Sequence, residues 1–218
     1  ADTFTHLGYY FEDKGEYAAA LQNYEQALKM ETSVGNRKGI AGSFNNIGNI
    51  FYYQGNYPQA LTNYLGALKI REELKDMEGI AASHSNVGLV YTFQKNYSEA
   101  LKNYSACLQI YNEMKNKLGL GVTFDHMGLI RYYQGDYKAA IENYNSSLKL
   151  FQEIGDKRRL SGSYNNIGGV YMNLEDYPKA LENYFTALKL RDATELKGIA
   201  DSDGNIGIAL MKQKKYRE

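Results

Sequence analysis

The sequence predicts an all-α solenoid built from helical hairpins, and three observations predict it. First, a stretch of about forty residues occurs five times and begins a sixth. Gly8, Gly48, Gly88, Gly128 and Gly168 stand forty apart, and Gly207 follows at thirty-nine. Second, fixed companions surround each glycine. An apolar residue precedes it (Leu7, Ile47, Val87, Met127, Ile167, Ile206), and a tyrosine stands nine residues later (Tyr17, Tyr57, Tyr97, Tyr137, Tyr177, Tyr216). Third, apolar residues inside each copy recur at the three-and-four spacing of an amphipathic helix. A fixed period of this length marks repeats that stack in one dimension and bury a continuous core between neighbours. Such architectures present surface more often than they perform chemistry.

The second copy shows what each repeat builds. From Gly39 onward, Phe44, Ile47, Gly48 and Phe51 share one face of a first helix, A. Gly48 lies on that packed face, where the missing side chain lets a second helix approach. Gln54-Gly55-Asn56 breaks the helix, Asn56 is placed to cap the next one, and Pro58 falls in its first turn, where no amide donor is lost. Ala60, Leu61, Tyr64, Ala67 and Leu68 then form the packed face of helix B, and Ile70 and Leu74 extend its apolar edge. The same reading applies along the chain, with repeats at about 1–37, 38–77, 78–117, 118–157 and 158–196 and a partial copy at 197–218. It predicts eleven helices and no strand: five A/B hairpins and a lone final A helix from about Gly198 to Lys214. The residue before the recurring tyrosine (Glu16, Asn56, Asn96, Asp136, Asp176) suits a helix N-terminus, by capping or through the macrodipole.

At these residues the sequence resembles the tetratricopeptide repeat family. In the first copy Phe4, Leu7, Gly8, Phe11, Gly15, Tyr17, Ala20, Tyr24 and Ala27 fill the family's signature slots. Helix B continues through Glu72, Tyr111-Asn112 and Gln152, past the point where the family's shorter repeat usually closes. This longer variant is similar to the repeats of kinesin light chains, Pins-type adaptors and bacterial sensor or regulator proteins. The resemblance implies a right-handed superhelix whose A helices line the concave side. It also implies a protein-binding scaffold in place of an enzyme. The chain begins at Ala1 inside one repeat and stops at Glu218 inside another, so it reads as a fragment of something longer.

Composition narrows the partners. The chain carries 25 basic and 25 acidic side chains, with a pI near 7.1, which lacks the clustered positive charge of a nucleic-acid binder. It also lacks a polybasic membrane surface, and no apolar run is long enough to span a bilayer. The single cysteine, Cys107, sits where other copies carry Ala27, Ala67, Ser147 and Ala187, and reads as a small buried thiol. His84 takes the slot of Phe4, Phe44, Phe124 and Tyr164, while His6 and His126 replace an asparagine, three repeats apart. No spacing suits a metal, no cofactor is implied, and no nucleophile, base and oxyanion donor can be assembled. Gly119-Leu120-Gly121 lacks the lysine of a phosphate loop and reads as a repeat boundary. Arg131, in a slot otherwise held by Phe11, Phe51, Tyr91, Tyr171 and Leu210, should pack its stem and send its guanidinium to an acidic or carbonyl partner. The recurrent Asn23, Asn63, Asn103, Asn143 and Asn183 should bridge to the adjacent repeat.

A binding surface is expected where A-helix residues face away from the packed stripe. The candidates are Asn45, Asn49, Tyr52, Tyr53, Phe93, Tyr132, Tyr133 and Asn165. Rings give apolar contact at low entropic cost, and amides hydrogen-bond a peptide backbone as both donor and acceptor. That face offers Thr5, Asn45, Ser85, Asp125 and Asn165 and no cation before Lys212, while Asp2, Glu12 and Asp13 lie toward the N-terminal end. A neutral or basic peptide or protein segment is the expected partner. The alternative is self-association, a homodimer formed through Ile206, Ile208, Leu210 and Met211 at the C-terminal end.

Overall fold

A computed structural model describes residues 1–192 and 194–215, with backbone alone for residue 215. The described residues form eleven helices and no strand. They are α1 (Asp2–Asp13), α2 (Tyr17–Ser33), α3 (Arg37–Tyr53), α4 (Tyr57–Glu73), α5 (Met77–Phe93), α6 (Tyr97–Glu113), α7 (Lys117–Tyr133), α8 (Tyr137–Ile154), α9 (Lys157–Asn173), α10 (Tyr177–Leu190) and α11 (Leu196–Lys215). Odd-numbered helices are the A helices and even-numbered ones the B helices. The chain divides into two compact units, Ala1–Ile110 and Tyr111–Glu218. The recurring Tyr216 lies outside the described residues.

Beneath the forty-residue repeat runs a period of half that length. Helices start at Tyr17, Arg37, Tyr57, Met77, Tyr97, Lys117, Tyr137, Lys157 and Tyr177. Two residues before each start the backbone turns left-handed, at Gly15, Gly35, Gly55, Lys75, Lys95, Lys115, Gly135, Gly155 and Glu175. At Gly35 the turn closes a Schellman motif: the amide of Gly35 donates to the Thr32 carbonyl and that of Asn36 to the Glu31 carbonyl. Asn36 then caps the following helix, its side chain accepting from the Gly39 amide. Asn56, Asp76, Asn96, Asn116, Asp136, Asp156 and Asp176 do the same, whereas Glu16 makes no side-chain cap. One residue thus ends one helix and begins the next, which keeps the linkers short. The A helices therefore start earlier than the glycine pattern suggested, α3 at Arg37 and not Gly39.

The repeating glycine is explained by a tyrosine. A Cβ added at Gly8, Gly48, Gly128 or Gly168 would lie 2.3–2.7 Å from the ring of Tyr24, Tyr64, Tyr144 or Tyr184 in the same hairpin. Gly88 leaves slightly more room, 3.1 Å from Tyr104, and a Cβ at Gly207 would meet nothing. Four core layers, two in each unit, join the alanine and tyrosine of one B helix to two residues of the next A helix. Ala20 and Tyr24 pack with Ile47 and Ile50, and Ala60 and Tyr64 with Val87 and Val90. In the second unit Ala140 and Tyr144 pack with Ile167 and Val170, and Ala180 and Tyr184 with Ile206 and Ala209.

Helix B reaches Glu73, as the long-repeat reading requires. The fifth copy departs: α10 ends at Leu190, and Arg191 is extended. Gly119 and Gly121 also find a packing reason, since a Cβ there would strike the rings of Tyr111 and Phe151.

Two expectations need correction. Asn23, Asn63, Asn103, Asn143 and Asn183 do not bridge to the next repeat through their amide groups. Each donates to the carbonyl four residues earlier in its own helix, at 2.7–2.8 Å. Ile206 is buried against α10, so it is not part of an open terminal face, although Ile208, Leu210 and Met211 are exposed.

Candidate functional site

In the first unit the A helices α1, α3 and α5 are joined by side-chain bridges. Asn46 donates to the Tyr9 hydroxyl at 3.2 Å, and Asn86 donates to the Asn45 side-chain oxygen at 2.9 Å. Asn49 accepts from the Tyr64 hydroxyl at 2.8 Å. Asn45 and Asn49 therefore each hold the scaffold through the side-chain oxygen.

The aromatic candidates gather at the C-terminal ends of the A helices. Tyr52 meets Tyr53 and Phe93, with ring centroids 5.6 Å apart in both pairs. Tyr53 stacks on Tyr17 at 5.8 Å, and Phe93 stacks on Tyr57 at 6.3 Å. A ring at the end of one A helix thus lies on the tyrosine that starts the preceding B helix, with about half its surface open: Tyr53 is 52% exposed and Phe93 51%. The expectation that these rings are free of the core needs correction at Tyr52, which packs against the layer of Ala60, Tyr64, Val87 and Val90, as Tyr132 does against that of Ala140, Tyr144, Ile167 and Val170. Sequence reasoning could not see the edge stacks, because a wheel drawn for one helix carries no information about the neighbouring hairpin. Beside them, Tyr9, Glu12, Asp13, Tyr17 and Tyr53 line a cleft.

In the second unit Tyr132 and Tyr133 lie 5.7 Å apart, and Tyr133 is 53% exposed. Asn173 donates to the Tyr132 hydroxyl at 2.7 Å, and Asn165 accepts from Ser202 at 3.4 Å. Tyr132 and Asn165 come together in one open cleft with Leu129, Asn166, Gly169, Met172, Asn173 and Asn205, backed by Tyr144 and Tyr184. Apart from the two backing tyrosines, the lining comes from the A helices α7, α9 and α11.

A second cleft beside it corrects the expectation that this face carries no cation before Lys212. Arg158 and Arg159, in the first turn of α9, line it with Asp125, Gly162, Asn165 and Asn166. Arg159 stands in the slot of Gly39, Gly79 and Gly119, with Arg158 just before it, ahead of the face drawn through the Thr5, Asn45 and Ser85 slots. The Gly155-Asp156 turn and cap signal would have revealed them. Arg159 is tied to Asp156 at 2.6 Å, while Asp125 is held by Ser147 at 2.5 Å and Ser163 at 2.9 Å. Burial pushes the Asp125 carboxyl up to about 6, against the opposing pull of the two serine hydroxyls and Arg159. Burial pushes the adjacent His126 down to about 4.

The other singled-out side chains have structural roles. Cys107 is buried, donates to the Ala81 carbonyl, and has its thiol pushed up to about 12 by burial. His84 Nδ1 pairs with Asn103 Oδ1 at 2.9 Å, and Arg131 donates to the Gln134 side-chain oxygen at 3.1 Å. Among the described residues no group of three or more His, Cys, Asp or Glu side chains could hold a metal, and no helix is long and apolar enough to cross a membrane.

The tetratricopeptide repeat family matches residues 1–73, 39–113, 79–153 and 161–194. The chain belongs to the tetratricopeptide repeat family. No curated protein sequence matches it. Solved structures share the fold of this tetratricopeptide repeat chain at low identity. Aspartyl phosphate phosphatase F from Bacillus subtilis superposes with a TM-score of 0.86 at 19% identity, over 96% of this chain and 55% of that one. A putative kinesin light chain with nearly identical TPR-like repeats, from Podosopora anserina, gives 0.70 at 12% identity, over 89% of this chain and 96% of its own. A signal transduction ATPase with numerous domains and a tetratricopeptide repeat sensor, from Pyrococcus horikoshii, gives 0.74 at 18% identity. There the match takes in 99% of this chain and 36% of that one. The chain thus spans about half of the phosphatase and about a third of the ATPase. As a tetratricopeptide repeat array, it is a protein-binding scaffold of helical hairpins.

Proposed function

We propose that this repeat array binds an extended or helical segment of a protein partner along the concave side formed by its A helices, without catalysis. The observation that carries the reading is the second-unit cleft. Leu129 and Met172 offer apolar contact there, beside the amides of Asn165, Asn166, Asn173 and Asn205 and the ring of Tyr132. Apolar area flanked by groups that both donate and accept is what a peptide backbone with side chains requires. Tyr133 is a further proposed contact in the second unit, and Asn45, Asn49, Tyr52, Tyr53 and Phe93 are those of the first, where a neutral or basic segment suits Glu12 and Asp13. The tetratricopeptide repeat sensor of the Pyrococcus horikoshii ATPase supports a sensory or interaction role within a larger regulatory protein.

A displayed peptide library selected on the full chain tests this. Wild type should enrich a family of segments, and the Tyr53→Ala/Tyr133→Ala pair should stay folded and lose about 2 kcal/mol or more of binding to them. An unfolded double variant, or one that keeps every peptide, would contradict the reading. A second reading is favoured by the exposed Ile208, Leu210 and Met211 of α11, which could seat a second copy. Sedimentation showing a concentration-dependent dimer abolished by Met211→Lys would support it.

A further inference from the structure

The last turn of α1 ends in Glu12 and Asp13 and contains no basic residue. A helix C-terminus is the negative end of the macrodipole, so two carboxylates there are electrostatically misplaced for stability. Equivalent turns end in Tyr52-Tyr53, Thr92-Phe93, Tyr132-Tyr133 and Met172-Asn173. The carboxylates border the cleft that Tyr9, Tyr17 and Tyr53 complete. Tyr17 and Tyr53 stack with 19° between their planes, and Tyr9 and Tyr53 are 49% and 52% exposed. The Tyr24 hydroxyl donates to Glu12 Oε2 at 2.5 Å, which fixes that carboxylate at the wall. Two cations of the chain lie near, and neither lines the cleft: Lys38 lines the neighbouring one that Tyr9 also borders, and Lys14 is directed to Tyr10. The Lys14 ammonium bonds to the Tyr10 hydroxyl and lies 4.3 Å from the Tyr10 ring centroid, and neither residue lines the cleft.

Aromatic rings, carboxylates and a helix C-terminus each attract positive charge, and here all three border one open cleft. We propose that this cleft receives an arginine side chain of the bound segment. A guanidinium is weakly hydrated, stacks on rings and pairs with carboxylates through its planar fork. The inference rests on the peptide-binding reading and sharpens it, placing a basic side chain at the α1 end of the path.

The test uses the full chain with ¹³C-labelled tyrosine rings, titrated with N-acetyl-arginine amide and with its neutral isostere N-acetyl-citrulline amide. The arginine probe should shift Tyr9, Tyr17 and Tyr53 saturably, and raised salt should weaken it. Asp13→Asn should reduce its affinity about two- to fivefold, in the range of an exposed cation–π or ion-pair contact. Glu12→Gln, which still accepts from Tyr24, should do the same. Equal shifts from the citrulline probe, or no saturable shift from arginine, would overturn the proposal. The peptide selection separates the two failures. Library segments that bind without a basic residue, indifferent to Asp13→Asn, sink the arginine cleft and leave the groove reading standing. A saturable arginine response with no segment enriched does the reverse.

Discussion

The two units present different chemistry on the same scaffold. In Ala1–Ile110 the A-helix ends carry rings and carboxylates, with Tyr9, Glu12, Asp13, Tyr17 and Tyr53 around one cleft. In Tyr111–Glu218 the clefts carry mainly amides, with a thioether, the Tyr132 ring, the Asp125 carboxylate and two arginines, and Asn165 and Asn166 are shared between them. Behind both faces the core is the same. Ala20 and Tyr24 in the first unit, and Ala140 and Tyr144 in the second, pack on the same pair of slots in the following A helix. Positions that the glycine–tyrosine contact and the inter-hairpin layer demand are held constant along the chain, and positions facing away are free to specify a ligand.

The largest test of that division strikes the shared core. Tyr24→Ala and Tyr144→Ala should each cost about 3–5 kcal/mol, measured by chemical unfolding, because each empties a fully buried ring site. A cost at one site alone would mean the two cores are not equivalent.

Next come the glycines. Gly48→Ala and Gly168→Ala, with a Cβ 2.7 and 2.5 Å from a tyrosine ring, should destabilise by about 1–3 kcal/mol. Gly207→Ala meets open space and should be neutral or stabilise by up to about 1 kcal/mol through helix propensity. Equal effects would remove the tyrosine as the reason for the repeat.

A pH profile sharpens the contrast, since Asp125 and His126 belong to the second unit alone. Asp125 holds its proton more tightly folded (about 6) than unfolded, where a carboxyl titrates near about 3.9. Its charge therefore costs stability progressively as pH rises from about 4 to 6, and Asp125→Asn should raise the melting temperature above pH 6 and leave it unchanged below pH 4. His126 has the opposite slope: folded near 4 and unfolded near about 6.5, it costs stability as pH falls through that window. His126→Asn, the residue at Asn46 and Asn166, should flatten the acid limb in thermal melts.

Most of the fold was legible because hairpin periodicity depends on spacing alone. Gly48, Tyr64 and Pro58 announce their roles through position. What a single helix pattern could not show was contact between hairpins. The Tyr17–Tyr53 and Tyr57–Phe93 stacks join residues thirty-six apart. Asn63 flanks the packed face, and nothing in its spacing distinguishes a bond to a neighbour from the bond to the Gln59 carbonyl that it makes. Arg158 and Arg159 were hidden by a different cause: Gly39, Gly79 and Gly119 look like helix breaks, so the slot that Arg159 shares with them, and Arg158 before it, read as a repeat boundary, whereas they are helical positions.

Hydrogen exchange on the full chain, with and without the most enriched library peptide, tests the division between constant core and variable face most directly. Added protection is expected along the A helices, at the ends of α1 and α3 and through α7 and α9, with the B helices α2, α4, α8 and α10 unchanged. Protection concentrated on the B helices, or confined to α11, would contradict that division.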